Sequence, residues 1–127
     1  MHGAGSPQAQ RVMILREIYR EKMERKPLES DWKTFVKRVP EWRERYLLKK
    51  NKEIIGILTD ETKTPTVRFW NAKKQMKEEA QVLIDCLDGH SRSKMQRYLL
   101  LMHHHGLLQD SDLKEFSEAL RGQILNH

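Results

Sequence analysis

SRSKMQRYLLLMHHH, residues 91–105, is the stretch whose reading decides the fold. Its middle, Tyr98-Leu99-Leu100-Leu101-Met102, is apolar on every side. A helix with no polar face has nothing to offer water, so it belongs in the middle of a packed domain. Ser91 or Ser93 suits its start, and Gly106 suits the left-handed residue that closes it. On its C-terminal side Leu107-Leu108 is expected to turn back onto the core. Ser111 is expected to cap a last helix holding Leu113, Phe116, Ala119, Leu120 and Ile124. On its N-terminal side the spacing predicts a long helix from about Thr66 to Asp88, capped by Thr64 or Thr66 and ended by Gly89. Its apolar stripe reads Trp70, Lys73, Met76, Ala80, Leu83, Ile84 and Leu87, extended by Val67 and Phe69.

Further out the pattern is less uniform. Residues 1–6 read as a flexible lead. Pro7 is well placed as a first helical residue, and a helix is expected to about Lys26 with Ile14, Leu15, Ile18, Tyr19 and Met23 on one face. Pro27 ends it. Ser30 is a candidate N-cap for a short helix to Val39, with Trp32, Phe35, Val36 and Val39 inward. Pro40 is expected to break that helix and start a third, which holds Trp42, Tyr46 and Leu47 inward. Residues 53–69 admit two readings. Either the third helix runs on to Leu58, at a cost of about 1 kcal/mol for Gly56, or the β-branched residues form a small β-hairpin around Asp60–Lys63. The helical reading is favoured. The expectation is therefore an all-α single domain over residues 7–127, a bundle of five or six helices, with the hairpin at 53–69 as its one alternative.

A chain of 127 residues with 38% hydrophobic and 33% charged residues can bury a core without staples and is not of disordered composition. The single cysteine, Cys86, excludes an internal disulfide and fits a reducing compartment. No run approaches the ~18 apolar residues of a spanning helix, and the first ten residues hold no apolar core of a secretory signal. An intracellular location, cytoplasmic or nuclear, with no membrane contact, is expected. The net charge of +6 is one-sided: residues 1–53 hold 14 Lys/Arg against 8 Asp/Glu, and residues 54–127 hold ten of each. Such asymmetry bears on partners rather than on fold.

No specific catalytic or cofactor signature is present. His103-His104-His105 point about 100° apart on a helix, so they cannot all reach one metal ion. They also sit where partly protonated imidazoles favour the end of the helix dipole. Cys86 and His90 are four apart and lack an evident ligand set, and Cys86 reads as a small buried residue. There is no nucleophile elbow and no phosphate-cradling glycine loop. The sequence thus points to a non-enzymatic module without cofactor or metal. Its candidate partner surface is Lys37, Arg38, Arg43, Arg45, Lys49, Lys50 and Lys52, because Arg43 to Lys52 holds five basic residues against Glu44 alone. Interleaved Trp32, Phe35, Trp42 and Tyr46 fall at core spacing, so the basic residues carry the expectation. The first reading is nucleic-acid binding, DNA or RNA, mainly through phosphates. If 53–69 were a hairpin, the element order would be that of a winged helix. The second reading is an adaptor or inhibitor that presents its basic face to an acidic protein surface.

Overall fold

The computed structural model describes residues 28–126; the lead and the helix expected over 7–26 lie outside them. Every described element is helical. Helix α1 (Glu29–Leu58) is followed by α2 (Pro65–Leu87), a 3-10 turn (Arg92–Lys94), α3 (Met95–His105), a 3-10 segment (Asp110–Glu115) and α4 (Glu118–Leu125). The fold is all-α, with no strand among the described residues.

The expected break at Pro40 does not occur. Residues 29–58 form one helix with Pro40 inside it. Its buried positions Asp31, Phe35, Val39, Trp42 and Tyr46 step by four, four, three and four, so one 3.6-residue stripe passes through the proline in phase. Pro40 itself is exposed, and so is Val36, whose carbonyl loses the N–H it would have received. That carbonyl faces water, which can serve it, while the packing of the stripe holds both halves in line. The helix begins after Leu28, not at Ser30, and Ser30 instead gives its carbonyl to the Thr34 hydroxyl at 3.0 Å.

The hairpin alternative for 53–69 is not formed. Ile54 is buried on the continuation of the α1 stripe, and Gly56 is simply exposed within the helix. A six-residue turn follows. Asp60 stiffens it by accepting the Thr62 N–H at 3.0 Å and the Thr62 hydroxyl at 2.6 Å. Thr64 then caps α2 by accepting the Val67 N–H at 3.3 Å, with Pro65 in the first turn, where its missing N–H costs nothing. The two helices run antiparallel, joined by the Tyr46 hydroxyl donating to Glu79 and by Gln75 reaching Glu53.

The expected stripe of α2 is only partly the buried one. Ala72 and Cys86 are buried, and Val82, Leu83 and Leu87 pack on the core. Val67, Phe69, Trp70, Met76 and Ile84 are exposed. The helix has two adjacent apolar strips, and the small side chains of Ala72 and Cys86, which allow close approach, mark the one that faces the protein.

Helix α3 lies where its sequence demands. Met95, Leu99 and Met102 are fully buried, with Tyr98, Leu100 and Leu101 half-buried around them. Gly106 takes φ 87°, and the chain closes with Leu107 N–H to the Met102 carbonyl at 2.9 Å and Gly106 N–H to that of His103. This Schellman closure drives Leu107 and Leu108 into the core. The last helix is not capped by Ser111. Residues 110–115 form a 3-10 segment that runs back along α1, and Ser117 caps α4 by accepting the Leu120 N–H at 3.3 Å. Asp31 explains the shift. Its buried carboxylate accepts the Ser117 N–H at 2.8 Å and the Ser117 hydroxyl at 2.6 Å, fixing the start of α4 from 86 residues away.

These contacts divide the molecule. Residues 28–46 and 79–126 form a head around one core, which contains Phe35, Trp42, Leu99, Met102, Leu107 and Leu113. Beyond Tyr46, α1 and α2 continue as a two-helix arm; Tyr46 to Leu58 spans about 18 Å at the helical rise. Among the described residues no hydrogen bond or ion pair joins 47–78 to 88–126. No helix among them is long and apolar enough to cross a membrane.

Candidate nucleic-acid interface

The seven basic residues singled out in the sequence all lie on α1, and the structure treats them differently. Arg38 is a structural clamp: its Nε donates to Glu115 at 2.6 Å, Nη2 reaches the other Glu115 oxygen, and Nη1 pairs with Glu41 at 2.9 Å. Arg45 repeats the device one level along. It donates to both oxygens of Asp112, at 3.0 and 2.6 Å, and to the Leu107 carbonyl at 2.8 Å. Two forked guanidiniums thereby bind two of the three carboxylates of the 3-10 segment, Asp112 and Glu115, to α1. Glu115 is held below the ordinary carboxyl range by the Arg38 hydrogen bond. For Asp112, burial pushes upward, but the Arg45 pair and the Gln109 N–H outweigh it, and the carboxyl titrates below its ordinary value.

Lys50 is also engaged. It lies half-buried between Glu53 at 3.2 Å and Glu79 at 3.7 Å, over the ring of Tyr46. Burial, followed by the Glu79 hydrogen bond, raises the Tyr46 phenol far above its ordinary value. Arg43 makes a weak contact with its neighbour Glu44 and lies on a different side of α1 from Arg38, Arg45 and Lys49. Lys37, Lys49 and Lys52 form no ion pair among the described residues. The seven therefore do not make one patch. Four are paired, and of the other three only Lys49 and Lys52 belong to the arm.

The largest run of basic side chains without acidic neighbours lies elsewhere. Residues 62–77, TKTPTVRFWNAKKQMK, contain Lys63, Arg68, Lys73, Lys74 and Lys77 and no Asp or Glu. This run was hidden in the half-chain total, where it is offset by acids of the C-terminal region. Trp70, Lys73, Lys74 and Lys77 fall at i, i+3, i+4 and i+7, hence on one face of α2, and all four are exposed. Phe69 and Trp70 are 57% and 55% exposed, too open for core residues. Their rings meet edge to face at 5.2 Å, and the Lys73 ammonium lies 5.0 Å from the Trp70 ring centre. Glu78, next to Lys77 and one turn from Lys74, Glu53, which accepts from Gln75, and Asp60 and Glu61 at the tip are the counterweights; Thr62 holds the Asp60 carboxyl low, with Lys63 and Arg68 adding to the effect. Over residues 47–78 the arm has eight Lys/Arg against four Asp/Glu.

The remaining candidate groups have structural partners. His90 donates to or accepts from no second ligand: its ring lies edge-on between Phe35 and Tyr98, with Nε2 2.7 Å from the Cys86 carbonyl. Cys86 is buried, and burial pushes its thiol up to about 11, so it stays protonated and a poor nucleophile. His103 pairs with Asp110 at 2.6 Å, while the rings of His104 and His105 meet edge to face. Among the described residues no three His, Cys, Asp or Glu side chains are grouped to hold a metal ion. Comparison with known protein families, with curated proteins and with solved structures finds no match for this chain.

Proposed function

We propose that this chain is a non-enzymatic nucleic-acid-binding module whose binding surface is the arm. The observation that carries the reading is the separation of charge: eight Lys/Arg against four Asp/Glu over residues 47–78, against ten and eleven in the rest of residues 28–126. A cationic projection attracts a polyanion more strongly than does the near-neutral remainder of the described residues. Lys49 and Lys52 from α1, with Lys63, Arg68, Lys73, Lys74 and Lys77, contact phosphates; Arg38 and Arg45 hold the head together. Phosphate contacts of this kind give affinity and not sequence preference.

The test is fluorescence anisotropy with a labelled DNA duplex and a labelled single strand, from low to physiological salt. Binding should weaken steeply with salt, the slope reporting the phosphates neutralised. The triple change Lys73→Glu, Lys74→Glu and Lys77→Glu should abolish it, while Lys37→Glu should leave it nearly intact. Full binding by the triple variant overturns the assignment. The exposed aliphatic residues Leu48, Ile55, Leu58 and Val67 favour a second reading. They neither stack on bases nor pair with phosphate, and they suit an acidic protein with an apolar strip. No response to generic polyanions, with retention of one protein partner, is the outcome that selects it.

A further inference from the structure

Resting on the nucleic-acid reading above, we infer that the arm selects single-stranded nucleic acid, with Trp70 and Phe69 as its base-stacking platform. In a duplex the bases are stacked on each other and show only their edges to a protein. Lysines alone serve either form equally. Two large rings standing in solvent among those lysines serve only a strand whose bases are unpaired.

The placement of the rings supports this use. Trp42 is buried and Trp32 is half-buried against Phe35, so both are explained by packing. Phe69 and Trp70 lie outside the core cluster, and their rings meet each other. Their edge-to-face contact fixes the two rings at 82°, leaving ring surface open to a base. Lys73 sits over Trp70, and Lys74 and Lys77 flank it on the same helix face. A base stacked on Trp70 therefore places its own phosphate within reach of an ammonium group already held there. Met76 is exposed one turn and more along from Phe69 and extends the apolar strip. An uncharged apolar patch fits a protein better than a nucleic acid. This one is bordered by five basic residues, with Glu53, Glu61 and Glu78 at its margins, and the excess of positive charge is complementary to a polyanion.

The experiment uses the full chain, a labelled mixed-sequence strand of about 20 nucleotides, long enough for several stacking sites, and the duplex made from it. The single strand should bind about tenfold or more tightly than the duplex at the same salt, and it should quench the fluorescence of Trp70. Trp70→Ala and Phe69→Ala should each weaken single-strand binding about tenfold and leave duplex binding unchanged, while Trp70→Tyr restores most of the loss. Unaltered thermal transitions of these variants show that the arm is still folded. Equal affinity for strand and duplex, or full single-strand binding by Trp70→Ala, overturns the inference and leaves the nucleic-acid reading standing. Absence of binding to both forms at low salt overturns both.

Discussion

The head and the arm are built from the same two helices by opposite rules. In the head, the α1 stripe of Phe35, Val39, Trp42 and Tyr46 is covered by α3, the 3-10 segment and α4, and its large apolar residues are nearly all out of water. In the arm, only Ile54 and Ala72 are buried, and Leu48, Ile55, Leu58, Val67, Phe69, Trp70 and Met76 stand exposed. Ion pairs follow the same division. Arg38, Arg45 and Arg92 of the head are matched by acids from distant segments, whereas among the described residues Lys50 is the one cation of the arm in an ion pair. Residues whose burial and pairing are satisfied explain the fold. Residues left unsatisfied on a projecting pair of helices are the ones that a partner would explain.

Truncation tests the comparison most severely. Leu99 is completely buried in the middle of the head, so Leu99→Ala should cost about 2–5 kcal/mol in chemical denaturation. The larger truncation Trp70→Ala should change stability by less than about 0.5 kcal/mol, because the ring is in solvent. A comparable loss at both positions would mean that Trp70 packs in solution and that the arm is not an open surface.

Asp31→Ala comes next. It leaves the Ser117 N–H and hydroxyl without their acceptor and removes the link between the start of α1 and the start of α4. Loss of hydrogen bonds to a buried charged group should cost about 1.5–3 kcal/mol. The loss should appear as faster amide exchange in α4 before α2 is affected, and uniform loosening of both would show that Asp31 has no local role.

Much of the head was legible from the chain alone. The all-apolar run 98–102 located the central helix, and Gly106 located its end, because both effects are local. Pro40 misled because a proline's local cost of about 3 kcal/mol was set against nothing, when the buried stripe on either side of it was already in phase. Ser111 was expected as the cap that Ser117 provides; the difference is Asp31, a contact that no local pattern contains. In the arm the error was of another kind. Trp70, Met76 and Ile84 have helical spacing, and periodicity finds an apolar face without saying whether anything covers it. The basic run of 62–77 was readable in the sequence, but a sum over half the chain concealed it. The paired state of Arg38 and Arg45 was not readable, since Asp112 and Glu115 are more than sixty residues away.

Acid should act on the head more than on the arm, where Asp60 alone among the described carboxyls is held low. Asp112 and Glu115 titrate below their ordinary values in the folded protein. Their pairing with Arg45 and Arg38 is fully present above the unfolded carboxyl range near pH 4, and it is lost as the pH falls through the depressed folded values. Stability should therefore decline below about pH 4, first where the 3-10 segment lies on α1. Arg45→Met removes the partner that keeps Asp112 low, and it should move the acid transition to higher pH. An unchanged transition in that variant would leave the clamp without energetic weight.

The smallest effect separates the two regions most cleanly. Gly56 lies inside α1 on the exposed side of the arm, and a methyl group added there meets nothing within 4 Å. Gly56→Ala should gain about 0.5–1 kcal/mol from helix propensity and reduced unfolded-state freedom. If arm and head unfold as one unit, that gain raises the global stability by its full amount. The arm, however, is held by two helices that share few buried side chains, so it should also open by itself at lower free energy than the head. In that case Gly56→Ala slows amide exchange between residues 50 and 75 and leaves exchange in α3 almost unchanged. Slowed exchange throughout α3 would show instead that the projecting helices are part of the same cooperative unit as the core. A partner would then meet a rigid extension of the head rather than an arm with its own opening equilibrium.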